Sequence, residues 1–408
     1  MSARRRIVLV GAYGIQNAGD DAPLLVLARR LRARFPEVEL EFTVFARHPD
    51  ALIEEAAGAR FLPNPEYPSR AAARGRWFRG LNPGDERADL EQLERAIAEA
   101  DLVVAGAGNV LVDIAIDLFR GPVPLLALYA FLADVHRTPL MLYGVSAGPL
   151  RTARGRELAG WIARRAAAVT VRDAASRALL SELAPECEVE LLPDPVLGLE
   201  PASDAAFERA LAQEGIPRHG ARPRLALALR ELAFLGTGAE LGRELVRATL
   251  ERLARRYELL FVPQCTDPES DDRAEAAALA GALPDARAHL VRARHAPDVL
   301  MRFYETAQAT LAIRLHGAVF SAMAGTPVVG LAYLPKVRGF LERIGAGARA
   351  FELDRCTPDE LAAAIEHATR ADRGELARAC RQLGAGVEGY VARAGALLEL
   401  ETRAALPA

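Results

Sequence analysis

The chain has 408 residues, 51% of them hydrophobic and 26% charged, and its 51 Lys and Arg nearly balance 54 Asp and Glu for a net charge of −3. That length exceeds one ordinary core, and at ~150 residues per domain it predicts two or three domains. Near-neutral charge excludes a global field for nucleic acid, and Arg-rich stretches such as Arg70 to Arg79 are interrupted by apolar residues.

The basic start MSARRR leads into an apolar run of only Ile7 to Val10, which is a first strand because a signal peptide needs a longer apolar core. No stretch approaches the ~20 apolar residues of a membrane span. The nearest, Pro122 to Val135, has the length of a buried helix. Cys187, Cys265, Cys356 and Cys380 lie far apart with no CxxC pair, as reduced thiols of a cytoplasmic protein would, and no metal-ligand cluster is visible.

Short apolar strands alternate with helical patterns, which predicts an α/β protein with parallel sheets. In the first half, strands are expected at Ile7–Val10, Leu40–Phe45, Leu102–Ala105, Leu140–Val145, Val169–Val171 and Val189–Leu192. Leu24, Leu27, Ala28, Leu31 and Phe35 share one face of the first helix, with Pro23 in its first turn and Asp20 or Asp21 as cap. From Gly198 to Arg224 the pattern loosens around Pro201, Pro217, His219, Gly220 and Pro223, and the domain boundary falls there. The second half continues with strands at Leu225–Leu229, Leu259–Val262, His289–Val291, Ala309–Ile313, Val328–Leu331 and Ala350–Leu353. The economical architecture is two doubly wound, Rossmann-like domains, residues 1–200 and 201–408, facing across a cleft. The last helical stretch, Glu375 to Ala405, is a candidate to cross back onto the first domain.

The strand ends carry the chemistry. The loop Gly11 to Asp21 lacks GxGxxG spacing, and two carboxylates at a helix start repel a pyrophosphate, which argues against NAD. Gly11, Gly14 and Gly19 make a tight turn, and Asn17 is its best candidate for ligand contact. The loop Gly106-Ala107-Gly108-Asn109-Val110-Leu111-Val112-Asp113 lets backbone approach a ligand, with Asp113 either a base or a cap. Ser146, in GVSAGP, is not a nucleophile elbow, because G-x-S-x-G is absent and Pro149 breaks the required helix. Arg172 emerges at a strand end, where burial demands either a bound anion or an internal partner such as Asp194, and Asp173 caps the helix from Ala174 to Leu183. The acidic stretch Asp267, Glu269, Asp271, Asp272 reads as a helix start, with Asp267 as cap and Pro268 at the first position. Residues 309–336 are the most informative. A strand ends in Arg314 and His316, Gly317 opens a helix, Gly325-Thr326-Pro327 closes it, and a second strand leads to Tyr333 and Lys336. Fixed cations, an imidazole and a helix N-terminus at one sheet edge suit a small, doubly anionic substrate.

In this order these elements resemble the polysaccharide pyruvyl transferase family: G-A-Y-G-I-Q-N-A-G-D-D, G-A-G-N-V-L-V-D, G-V-S-A-G-P, V-R-D, D-P-V, and above all R-L-H-G-A-V-F-S-A-M-A-G-T-P-V with Tyr333 and Lys336 downstream. The resemblance spans roughly residues 7 to 340 and implies a fold like that of two-domain GT-B glycosyltransferases. It also implies phosphoenolpyruvate as donor on the second domain, a sugar diol of a glycan or lipid-linked glycan as acceptor on the first, and a pyruvate ketal as product. A second copy of the chain is a further candidate partner, and no cofactor or metal is needed. Arg172, Arg314 and Lys336 are then donor clamps, and His316 delivers or shuttles a proton. Asp113 deprotonates or orients the acceptor, and Asn17, Gly14, Gly106, Gly108, Asn109 and Tyr333 line the substrates. The main rival is a GT-B glycosyltransferase using a nucleotide sugar, although Val319 to Ala324 carries no acid for the ribose hydroxyls. The other is a non-catalytic, anion-binding member.

Overall fold

The computed structural model describes residues 4–65, 88–113, 121–230, 239–268, 270–283, 286–332 and 335–400. Tyr333, Glu269 and the Arg70–Arg79 stretch lie outside them. The chain divides into two compact units. The first takes the described residues within Met1–Ile15, Asp20–Gly198 and Ala385–Ala408, and the second those of Gln16–Gly19 and Leu199–Gly384.

In the first unit the elements run β1 (Arg4–Val10), α1 (Ala18–Arg34, whose first two residues, Ala18 and Gly19, count with the second unit), β2 (Glu39–Ala46), α2 (Ala51–Ala57), β3 (Arg60–Pro63), α3 (Ala88–Ala98), β4 (Leu102–Leu111), α4 (Pro122–His136), β5 (Leu140–Ala147), α5 (Ala153–Arg165), β6 (Ala168–Val171), α6 (Ala174–Leu183) and β7 (Val189–Leu191). In the second they run α7 (Asp204–Glu214), β8 (Arg224–Ala228), α8 (Ala239–Ala254), β9 (Glu258–Phe261), α9 (Asp272–Gly281), β10 (Ala288–Leu290), α10 (Pro297–Phe303), β11 (Ala309–Ala312), α11 (Leu315–Met323), β12 (Val328–Ala332), α12 (Pro335–Arg343), β13 (Ala350–Glu352), α13 (Pro358–Ala368) and α14 (Arg373–Gly384). A final helix, α15 (Glu388–Leu397), returns to the first unit.

The first sheet has seven strands in the order β3-β2-β1-β4-β5-β6-β7, and the second has six in the order β10-β9-β8-β11-β12-β13. All pairings between these strands are parallel. Strands covered on both faces need continuous apolar runs, as β12 shows, buried at every position. In the first core Val8, Val103 and Leu142 pack with Tyr129 and Ile162; in the second Leu227, Leu311 and Val329 pack with Leu250 and Ile365. Strand order reverses between β1 and β4 in one sheet and between β8 and β11 in the other, and such switch points are where α/β sheets bind ligands.

α15 is held to the first unit by specific contacts. The Tyr390 ring meets Tyr143 edge to face at 4.9 Å, and its hydroxyl donates to Pro193 O at 2.8 Å. Gly395 lies against the Phe35 ring, so close that a Cβ there would sit 2.7 Å from Cζ.

The structure corrects several local expectations. β3 is an additional strand. The Asp20 or Asp21 cap of α1 is replaced by Asn17, whose Oδ1 accepts from Gly19 N at 3.0 Å, and Pro23 lies inside the helix. Helix α9 is capped by Asp271, not Asp267. α4 is not buried all round, since Phe131 and Val135 are 53% and 56% exposed. The stretch expected as one helix from Glu375 is broken by a turn at Ala385–Val387.

Candidate active site

At the switch point of the second sheet, β11 ends at Ala312 and the chain turns through Ile313 and Arg314 straight into α11. Arg314 occupies the N-cap position, so His316 sits in the first turn of the helix, one step further in than a helix opening at Gly317. The Arg314 side chain makes no cap hydrogen bond to this helix N-terminus. Its first-turn N–H groups and its dipole therefore present partial positive charge at the sheet edge.

Arg314 is committed to a carboxylate. Its Nε donates to the two Asp272 oxygens at 3.2 and 3.1 Å, and its Nη2 donates to Oδ1 at 2.5 Å. The Asp272 side chain is 1% exposed. Asp272 Oδ2 also accepts the N–H groups of Gln264 and Cys265, at 3.1 and 2.9 Å. Burial pushes its carboxyl above the usual range, while the Arg314 guanidinium and these amides pull the other way. Arg314, expected as a donor clamp, is one half of a buried ion pair at the entry into α11.

The 264–266 loop reaches the N-terminal segment that belongs to this unit. Asn17 forms an antiparallel bridge with Cys265, Ala18 N donates to Gln264 O at 2.9 Å, and Thr266 N donates to Gln16 O at 2.9 Å. Beside them Gln264 Nε2 donates to the hydroxyl of the fully buried Tyr304 at 2.8 Å. Gln264 Oε1 is buried with no hydrogen-bond partner among the described residues. Asn17, Arg314 and His316 are thus brought into one connected set. Lys336 is exposed in the first turn of α12.

The remaining candidates belong to the first unit. Gly106 and Gly108 do not form a loop; they lie within β4, whose register with β5 shifts between Gly108 and Leu111. Both adopt positive φ, 137° and 106°, and a Cβ on Gly106 would come 2.3 Å from Tyr143 O. Glycine at 106 is thus demanded by the neighbouring strand. Gly14 similarly packs on His48 O. Asn109 Oδ1 is buried with no hydrogen-bond partner among the described residues. Arg172 takes the internal partner: its Nη1 donates to Asp194 Oδ2 at 3.0 Å and its Nε to Ser146 Oγ at 2.8 Å. Ser146 Oγ in turn donates to Asp173, the cap of α6.

Asp113 Oδ2 accepts from the N–H groups of Arg151 and Thr152 at 2.8 and 2.7 Å, and from the Thr152 hydroxyl at 2.8 Å. Partial burial pushes its carboxyl up, but these donors together hold it below the usual carboxylate range. A carboxylate held down in this way is a weak base, and its geometry is that of an anchor for the turn before α5. Its stabilising contribution is present above the ordinary carboxylate pKa and is lost as pH falls through the depressed value. Asp113→Ala is expected to lower stability by roughly 1 kcal/mol without loss of turnover. Urea unfolding and initial rates check this; a turnover loss of ~10²-fold would make Asp113 the base after all.

Residues 17–335 match the profile of the polysaccharide pyruvyl transferases. The chain belongs to this family. A relative, the amylovoran biosynthesis protein AmsJ of Erwinia amylovora, is 23% identical over 274 residues, which span 63% of this chain and 62% of that protein, under two thirds of its length. Among solved structures, the UDP-GlcNAc 2-epimerase of Methanocaldococcus jannaschii superposes with a TM-score of 0.59 at 10% identity, over 93% of this chain and 98% of that one. The Neisseria meningitidis UDP-GlcNAc 2-epimerase gives 0.56 at 12% identity, over 97% and 99%, and the kitacinnamycin glycotransferase 0.53 at 17%, over 98% and 100%. These likenesses show the fold, a GT-B-like pair of Rossmann-like units. This member of the pyruvyl transferase family therefore keeps its Arg-Leu-His block at a switch point. What the sequence missed is Asp272: it lay in an acidic stretch that read as a helix start, and nothing local marks it as the partner of Arg314. No described helix is long and apolar enough to cross a membrane.

Proposed function

We propose that this protein transfers the pyruvyl group of phosphoenolpyruvate to a sugar diol of a glycan precursor, forming a pyruvate ketal. The observation that carries the reading is the start of α11, where His316 stands in the first turn beside the Arg314–Asp272 pair. An uncapped helix N-terminus takes a phosphate or carboxylate through its N–H groups. Lys336 adds a point charge from the adjoining α12.

The chemistry is balanced without a further reagent. His316 passes a proton to the methylene carbon of the enol while one sugar hydroxyl bonds to the adjacent carbon and gives its own proton back to the imidazole. The carbon–oxygen bond to phosphate then breaks, the second hydroxyl attacks the oxocarbenium-like centre, and its proton leaves with the phosphate. Family membership and a relative named for amylovoran biosynthesis support a glycan acceptor. A nucleotide sugar is the second reading, favoured by the fold likeness to a UDP-GlcNAc 2-epimerase that was solved with UDP-GlcNAc bound.

Thermal unfolding with phosphoenolpyruvate and with a panel of nucleotide sugars separates the two. At ~100 times its dissociation constant the true donor adds ~2.7 kcal/mol to the folded state. Phosphoenolpyruvate is expected to stabilise the protein and nucleotide sugars are not. The reverse result overturns pyruvyl transfer.

A further inference from the structure

Gly19 lies in the first turn of α1, where its N–H bonds to the Asn17 cap. Its φ lies outside the left-handed region, so the backbone there does not require glycine. Glycine also forms helices less well than alanine, which leaves its presence without a local reason. The packing supplies one. A Cβ on Gly19 would fall 1.8 Å from His316 Nδ1, 2.2 Å from Cγ and 2.6 Å from Cε1, so the imidazole occupies the space a side chain would take.

We propose that Gly19 is a positioning residue whose missing side chain seats the His316 imidazole for reaction. The proposal rests on the reading of His316 as the proton carrier. The seat is rigid because the backbone around it closes into a circuit. Arg314 is locked to Asp272, and Asp272 holds the amides of Gln264 and Cys265. Those two residues pair with Ala18 and Asn17, and the next residue, Gly19, lies against the ring. The same circuit sets both where α11 starts and where the wall facing His316 stands. A ring lying against the α1 backbone in this way is hindered on that side before any substrate binds, and that pre-organises proton transfer.

Gly19→Ala tests the seat in the full chain. The His316 imidazole resonance is identified by its loss in His316→Ala. In Gly19→Ala that resonance is expected to move while the other imidazole signals stay. Phosphate release from phosphoenolpyruvate, with a panel of hexoside diols as acceptors, is expected to fall about 10²-fold, while stabilisation by phosphoenolpyruvate is kept. A purely conformational role for Gly19 predicts the opposite, since alanine favours the helix and turnover would not change. An unmoved resonance, or unchanged turnover, overturns the proposal. Should Gly19→Ala fail to fold, Gly19→Ala/His316→Ala decides: recovery of folding assigns the clash to the imidazole, and continued failure assigns Gly19 to the backbone and overturns the seat. Full turnover in His316→Ala would instead remove the proton-carrier reading, a result separate from the position of the ring.

Discussion

Arg314→Ala is expected to lower stability by about 3–5 kcal/mol and to weaken binding of phosphoenolpyruvate, because the ion pair fixes the entry into α11, whose first-turn N–H groups take the anion. The loss exceeds that of an ordinary surface arginine because Asp272, 1% exposed, is left buried with its charge opposed, among the described residues, by the Gln264 and Cys265 amides. The deficit depends on pH in a definite sense. Burial raises the Asp272 pKa in the folded state, and without Arg314 nothing cationic counters that rise. A carboxyl with a raised folded pKa contributes stability below its unfolded pKa and loses it as pH rises through the folded value. The variant should therefore stand closer to wild type at about pH 5 than at about pH 7. Arg314→Ala/Asp272→Asn separates fold from function. The Asn oxygen still accepts both amides and no buried charge remains, so stability should largely return while donor binding does not. Urea unfolding at the two pH values, with phosphoenolpyruvate titrations alongside, checks both. A deficit that does not change with pH, or donor binding undiminished in the single variant, would show that the ion pair is dispensable.

That pairing also marks the limit of what the sequence could say. Strand positions were legible because a buried parallel strand is a short apolar run, and runs such as Leu225–Leu229 announce themselves locally. β3 was not, because Arg60-Phe61-Leu62-Pro63 is brief and ends in a residue that strands avoid. Glycine density misled at Gly106 and Gly108: glycines usually signal a loop, but both lie inside β4 at positive φ, and at Gly106 the close approach of Tyr143 O leaves no room for a Cβ. The candidate residues were legible by type and strand end, their partners only in part. Asp194 could be named for Arg172 because it also follows a strand of the same sheet. Asp272 could not be named for Arg314, since the two meet only once the β9 and β11 connections are folded. Gly19 was seen as a turn residue because its neighbour, the His316 imidazole, lies almost three hundred positions away.

His316→Ala is expected to lose turnover by ~10²-fold or more while still binding phosphoenolpyruvate. Binding survives because the groups that take the anions are elsewhere: the first-turn N–H groups of α11, which persist with any side chain at that position, and Lys336. Turnover fails because protonating the methylene carbon needs an acid placed beside it, and water at that point is neither oriented nor acidic enough. An imidazole suits the step because its ordinary pKa near ~6.5 lets it give a proton to carbon and recover one from a sugar hydroxyl in the same cycle. The fold should be unaffected, since His316 makes room for itself against Gly19 and removing the ring only empties that space. Phosphate release at saturating phosphoenolpyruvate, with the ligand-induced thermal shift measured on the same sample, gives both quantities. A variant that loses the thermal shift along with turnover would recast His316 as an anion ligand. One that keeps full turnover would place the proton source outside the Arg-Leu-His turn, and the pre-organised ring would then be a packing feature of α11 alone.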